Sequence, residues 1–175
     1  SEPVVIDNIS SCPGGRIAIE SLAELLRIAS STHLDIDLSE LQVGTQTIRS
    51  DEMNAGWTRR IFIADSLENG AGYARHLANP PEFAEMLKRI QLLNWINSEQ
   101  HAAECTTSCK RCLRHFDNRF KHRHLNWRLG LDLYDLAMGN SLNLSRWTNL
   151  MNSLIMGFVK GWSPAFANEG REIEV

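Results

Sequence analysis

Four side chains able to bind a soft metal ion fall within twelve residues, in the order His101-x-x-x-Cys105-x-x-x-Cys109-x-x-Cys112. Thiolates and imidazole suit zinc and discriminate against magnesium and calcium, which prefer oxygen. The two-residue gap between Cys109 and Cys112 lets both sulfurs turn toward one point, as in a zinc knuckle. A helical 101–105 segment would place His101 and Cys105 on one face. Four protein ligands leave no open coordination position, so the ion expected here is structural. Reduced thiols, a redox pair and an iron–sulfur cluster are the competing uses of such a cluster. His115, His122 and His124 lie close by and compete with His101 for the fourth place, while Cys12 is isolated far upstream and reads as a bystander. Clustered cysteines, with no secretion signal after Ser1 and no apolar run long enough to span a membrane, argue for a metal over disulfides and predict a soluble, cytoplasmic protein.

A second set of residues could contact a polyanion. The chain carries a net charge of −3, yet residues 110–128 hold seven Lys/Arg against the single acid Asp117, so that segment is +6 and the remainder is −9. Arg114, Arg119, Lys121 and Arg123, with His115, Phe116 and Phe120 interleaved, offer cations for phosphates and rings for stacking on bases. The competing reading is a solvated rim around the metal site that balances an acidic remainder. Arg128, four residues before Asp132, reads as half of a helix-surface pair.

A third possibility is carboxylate chemistry. Asp65 and Glu68 sit where a strand meets a loop containing Gly70 and Gly72, a place that would suit magnesium ligands of a nuclease. Two acids without a third acid or a lysine favour a structural role, such as capping the next helix. The same loop is a weak match to a phosphate cradle.

The elements that must position these residues are mixed. Val4, Val5 and Ile6 suggest a strand or extended arm. Ser21-Leu-Ala-Glu24 has capping-box spacing, with Leu22, Leu25, Leu26 and Ala29 on one helical face. Residues 34–38 alternate between polar turns, and 41–48 read as a strand interrupted by Gly44. Arg60-Ile-Phe-Ile-Ala-Asp65 reads as a central strand buried on both faces. A short helix over 72–77 precedes Pro80-Pro81, after which a helix is expected over 81–98, with Phe83, Met86, Leu87, Ile90, Leu93 and Ile96 inward. Residues 125–138 predict a helix with Leu125, Leu129, Leu133 and Leu136 inward and Asn126, Arg128, Asp132 and Asp135 outward. Residues 145–160 predict an amphipathic helix with Trp147, Leu150, Leu154 and Phe158 on one stripe, followed by a polar tail over 169–175. The fold class is therefore α+β, a small central sheet flanked by helices with a zinc knuckle between two helices. Residues 1–140 would form the zinc-binding unit and 141–175 a helical extension and tail.

Asp65-Ser-Leu-Glu-Asn-Gly-Ala-Gly-Tyr73, the cluster ending Ser108-Cys-Lys-Arg-Cys-Leu113, Phe116-Asp-Asn-Arg119 and Leu125-Asn-Trp-Arg-Leu-Gly-Leu-Asp132 together resemble the MrfA-type zinc-binding domain, in the same order and over roughly residues 16–138. That domain lies at the C-terminal end of superfamily two DNA helicases and in phage-defence proteins such as DrmB of the DISARM system, which this version resembles more closely. Many helicase members carry a cysteine two positions before the one matching Cys105. Here that position is Ala103, and His101 would replace it. No G-x-x-x-x-G-K-[ST] motif occurs, so the resemblance implies a helicase-associated accessory module or a piece of a larger ATP-dependent helicase, non-catalytic alone. DNA and a helicase or defence-complex subunit are its expected partners. The alternatives are a protein–protein scaffold docking through the Trp147 face and a metal-dependent nuclease using Asp65 and Glu68.

Overall fold

The structure, a computed structural model, describes residues 13–49, 57–67 and 70–168. Cys12, Glu68, the 4–6 apolar run and the 169–175 tail lie outside the described residues. Helix α1 (Pro13–Leu34) is followed by a 3-10 turn (Leu38–Glu40) and two strands, β1 (Leu41–Arg49) and β2 (Trp57–Asp65). Then come α2 (Tyr73–Leu77), α3 (Pro80–Leu92), α4 (Glu99–Glu104), a 3-10 segment (Arg119–His124), α5 (Trp127–Ala137) and α6 (Ser145–Asn168). The α+β class holds, a mostly helical arrangement with one small sheet among the described residues.

That sheet is a two-stranded antiparallel hairpin whose register pairs Leu41 with Asp65 and Arg49 with Trp57. Its apolar run is not buried on both faces as expected. Ile61 and Ile63 pack toward the core on α1, whereas Phe62 is 48% exposed on the other side. The strand is consequently a hairpin arm and not the centre of a sheet. Phe62 folds its ring over Gly44, where a Cβ would collide with it, so the glycine does not interrupt β1.

Helix α1 starts before the proposed capping box. Ser21 sits mid-helix, fully buried, donating its hydroxyl to the Ile17 carbonyl at 2.7 Å and accepting the Asn126 backbone N–H at 2.7 Å. It ties α1 to the start of α5, against which α1 packs closely at Gly130. Around that crossing lies the core: Leu22, Leu25 and Ala29 of α1, Met86 and Ile90 of α3, Ile96, Leu125, and Leu131 and Leu133 of α5.

The helix expected over 81–98 stops at Leu92. Leu93 has φ −74° and ψ 44°, and the chain turns before restarting at α4. Ser98 caps the new helix by accepting the His101 N–H. Ile96 still packs inward, reached through the turn and not through continuing helical periodicity. Helix α6 extends past Lys160 to Asn168, with Pro164 inside it. No described helix is long and apolar enough to cross a membrane.

Candidate metal centre

His101 lies on the first turn of α4, Cys105 caps that helix, and Cys109 and Cys112 occupy the loop that follows. One potential ligand atom from each of the four lies within 4.8 Å of every other. The Sγ atoms of Cys105 and Cys112 are 3.9 Å apart, and Cys109 Sγ is 3.5 Å from His101 Nε2. A tetrahedral zinc ion with sulfur bonds near 2.3 Å and a nitrogen bond near 2.0 Å has sulfur–sulfur edges of about 3.8 Å and sulfur–nitrogen edges of about 3.5 Å. The donor set and its spacing therefore fit zinc. Three cysteines this close remain thiols and not a disulfide. His115, His122 and His124 do not join them. His122 Nε2 instead lies 2.9 Å from the carbonyl of His115 and from Asn118 Oδ1.

The surroundings prepare each ligand. His101 Nδ1 sits 2.7 Å from the Ile96 carbonyl, which makes Nδ1 the protonated nitrogen and leaves the Nε2 lone pair facing the cysteines. Burial lowers the His101 pKa below the ordinary histidine value, favouring the neutral form a metal requires. The ring is 4% exposed, wedged between Trp95 and Trp127 with centroids 6.1 and 5.2 Å away. In the knuckle, the Cys109 N–H donates to Cys112 Sγ at 3.1 Å, and the Cys112 N–H donates to the Cys109 carbonyl at 3.1 Å. Burial pushes the Cys105 and Cys112 thiols up. Burial opposes ionisation of the more exposed Cys109 as well. There, hydrogen bonds from the Arg111 backbone N–H and the neighbouring thiols outweigh it and bring the pKa down. Without an ion the cluster thus holds back most of its negative charge. A bound cation would draw the remaining protons off and convert ligation into folding free energy.

Residues outside the cluster complete the centre, and two of them were not anticipated. Trp127 is fully buried and donates Nε1–H to the Cys105 carbonyl at 3.1 Å. Arg128 was expected on the helix surface and is instead completely buried, with its guanidinium bound to backbone carbonyls around Cys105. The expected surface pair with Asp132 does not form, because Asp132 accepts from Arg146 and from Trp147 Nε1. Adjacent Trp127 and Arg128, straight after an Asn126 cap, were the available signal, but helical periodicity assigned the arginine to the wrong face.

The MrfA Zn-binding domain model matches residues 22–113, a span that contains all four potential ligands. The chain belongs to the MrfA Zn-binding domain family. At 32% identity over 127 residues it is also similar to Druantia protein DruE of Escherichia coli strain UMEA 4076-1, a match covering 69% of this chain and 6% of that relative's length. No solved structure matches. The cofactor of this MrfA Zn-binding domain is zinc, and His101, Cys105, Cys109 and Cys112 form its potential zinc site.

The remaining expected site residues separate. Arg119 lies over both the Phe116 and Phe120 rings, 4.6 and 4.7 Å from their centroids, and these rings are 83% and 75% exposed. Arg123 is exposed on the same 3-10 segment. Lys121 pairs with Glu20 at 2.9 Å, and Arg114 Nε donates to Ser108 Oγ at 2.9 Å, so both are partly committed inside the protein. Asp65 uses its two carboxylate oxygens to accept the N–H groups of Gly72 and Ala74, each at 2.8 Å, and Gly70 approaches its side chain too closely for any Cβ. Gly72, with φ 83°, supplies the left-handed turn that starts α2.

Proposed function

We propose that this chain is a zinc-stabilised accessory domain of a helicase-like or phage-defence protein, without catalysis of its own, that engages DNA through residues 114–123. His101, Cys105, Cys109 and Cys112 hold the ion. The observation that carries the DNA reading is the exposed Phe116–Arg119–Phe120 stack beside Arg123. Apolar rings left in solvent around a cation suit bases and phosphates better than they suit water. Membership in a zinc-binding family and likeness to a Druantia protein support the accessory role. Because Lys121 and Arg114 have internal partners, Arg119 and Arg123 carry most of the contact.

The test is fluorescence anisotropy with labelled DNA across a salt series. Replacing Arg119 and Arg123 by Ala should weaken binding and lower the slope of log affinity against log salt by about 1.5. Unchanged affinity and slope would remove the DNA reading. A scaffold reading is favoured by a different observation. The stripe of Met151, Leu154, Phe158 and Trp162 on α6 is more than half exposed throughout, although Trp147 itself is bonded to Asp132 and anchors the helix. That reading requires a partner complex lost on Leu154→Glu while DNA affinity stays constant. The nuclease reading has less support, since both Asp65 oxygens are engaged by backbone amides.

A further inference from the structure

Arg128 is 0% exposed, and among the described residues no carboxylate pairs with it. Its hydrogen bonds go to carbonyl oxygens: Nη1 to Cys105 at 3.1 Å and Thr106 at 2.8 Å, Nη2 to Ala102 at 3.1 Å, and Nε to Arg146 at 2.7 Å. Its cationic face lies 4.2 Å from the Trp127 ring centroid. Arg27, also buried, has the company such a charge ordinarily needs, with Glu24 and Asp117 beside it. Asp132, one turn beyond Arg128, has both oxygens occupied by Arg146 and Trp147. A permanently charged guanidinium, sealed from water and left with an Asp132 whose oxygens serve other donors, calls for further negative charge.

The metal centre has that charge. Three thiolates and a neutral imidazole around a divalent ion sum to one net negative charge. Arg111, between Cys109 and Cys112, also reaches Cys109, but it is exposed and paired with Glu104, so water and that acid screen what it offers the centre. We propose that Arg128 is a positioning residue that balances the anionic three-thiolate zinc centre, holding its positive charge behind the Cys105–Thr106 turn while its donors fix that turn. This rests on the ligand set proposed above. In a low-dielectric interior the guanidinium and the centre each offset the desolvation cost of the other.

A simpler role competes with this one. The carbonyls of Ala102, Cys105 and Thr106 lie at and just beyond the C-terminal end of α4, and a cation there would be favourable without any metal. Zinc dissociation constants, measured on the full chain by competition with a chromophoric chelator, separate the two. Arg128→Gln removes the charge, Arg128→Lys keeps it while losing the fork, and Cys109→His converts the centre to two thiolates and two imidazoles with no net charge. The expected result is zinc binding weakened about 10- to 100-fold by Arg128→Gln. Arg128→Lys, and Arg128→Gln placed in the Cys109→His background, should each stay within about threefold of their own reference. Equal losses for Lys and Gln, or an equal Gln loss in both backgrounds, overturn the proposal and leave Arg128 a carbonyl clamp. If Cys109→His abolishes zinc binding, the Lys and Gln comparison decides alone. A wild-type chain that binds no zinc overturns the ligand set and this proposal together, whereas a zinc-loaded wild type with equal losses overturns this proposal only.

Discussion

Replacing Gly130 by alanine tests the contact on which the centre's supporting helix rests. A Cβ at this position would lie 2.9 Å from Ser21 Cβ, 3.0 Å from Leu25 Cδ1 and 3.1 Å from the Ser21 carbonyl carbon. The Leu25 methyl can rotate aside. Ser21 cannot, because its backbone belongs to α1 and its hydroxyl is held by Ile17 and Asn126. Helices α1 and α5 must therefore part by a few tenths of an ångström, an overpacking cost of about 1–3 kcal/mol. Against this, alanine is a better helix former than glycine by about 1 kcal/mol. The net expectation is destabilisation by about 1 kcal/mol, or a melting temperature about 3 °C lower, in the zinc-loaded protein. Gly157→Ala on α6 supplies the control, since nothing lies within 4 Å of its added Cβ and only the propensity gain of about 1 kcal/mol remains. Urea melts of both variants should move in opposite directions. A Gly130→Ala protein as stabilised as Gly157→Ala would show that α1 and α5 do not approach as described, and would refute the packing argument.

Elemental analysis of the purified chain should give one zinc per molecule, lost in both His101→Ala and Cys112→Ser. Chelation should reduce far-UV helical signal, because structural zinc supplies about 10 kcal/mol of folding free energy in small zinc peptides. Retention of zinc in His101→Ala would reassign the fourth ligand. Glu24 gives a pH signature: burial raises its pKa above the ordinary 4.5. Below that value it is protonated in folded and unfolded chains alike and its contribution is fully present, and as pH rises through the higher folded value that contribution is lost. The stability of Glu24→Gln relative to wild type should therefore increase as pH rises above about 4.5, measured as the difference between paired urea melts. A difference independent of pH would mean that Glu24 ionises normally.

The cysteine cluster was legible because its geometry is local. Ligands within twelve residues can meet with little help from the rest of the chain, and the spacing carries the chemistry. Elements whose meaning depends on a distant partner were read less well. Ser21 looked like a helix cap until α5, more than a hundred residues later, placed an N–H against its hydroxyl. Arg128 looked solvent-facing because periodicity assigns polar residues outward, and nothing local announces that a loop from 22 residues upstream presents carbonyls to it. The apolar run over 60–65 matched a central strand, but no further strand arrives to pair with it among the described residues. The break after Leu92 has no glycine or proline to mark it. The usable signal was Ser98-Glu99, a cap followed by an acid in the first turn of a new helix.

The metal loop and the basic segment are parts of one hydrogen-bonded unit, which bears on what loss of zinc would do at the surface. Ser108, between two cysteines, accepts from Arg114 Nε and donates to the His122 carbonyl at 3.4 Å. Asn118 donates to the Leu113 carbonyl at 2.7 Å and accepts from the His115 N–H and His122 Nε2. Residues 113–122 are thus tied to the knuckle by short polar contacts, and to α1 by the Arg27–Asp117 and Lys121–Glu20 pairs, while Phe116 and Phe120 face solvent. Part of their order depends on the loop being closed. The chain's net charge of −3 has little bearing on a polyanion approaching this segment, because at physiological salt charges more than about 8 Å away are largely screened. What such a partner meets is chiefly Lys110, Arg119 and Arg123, since Arg128 is buried and Arg111 and Lys121 are paired with Glu104 and Glu20. Zinc occupancy should then change polyanion affinity with no ligand residue touching the partner.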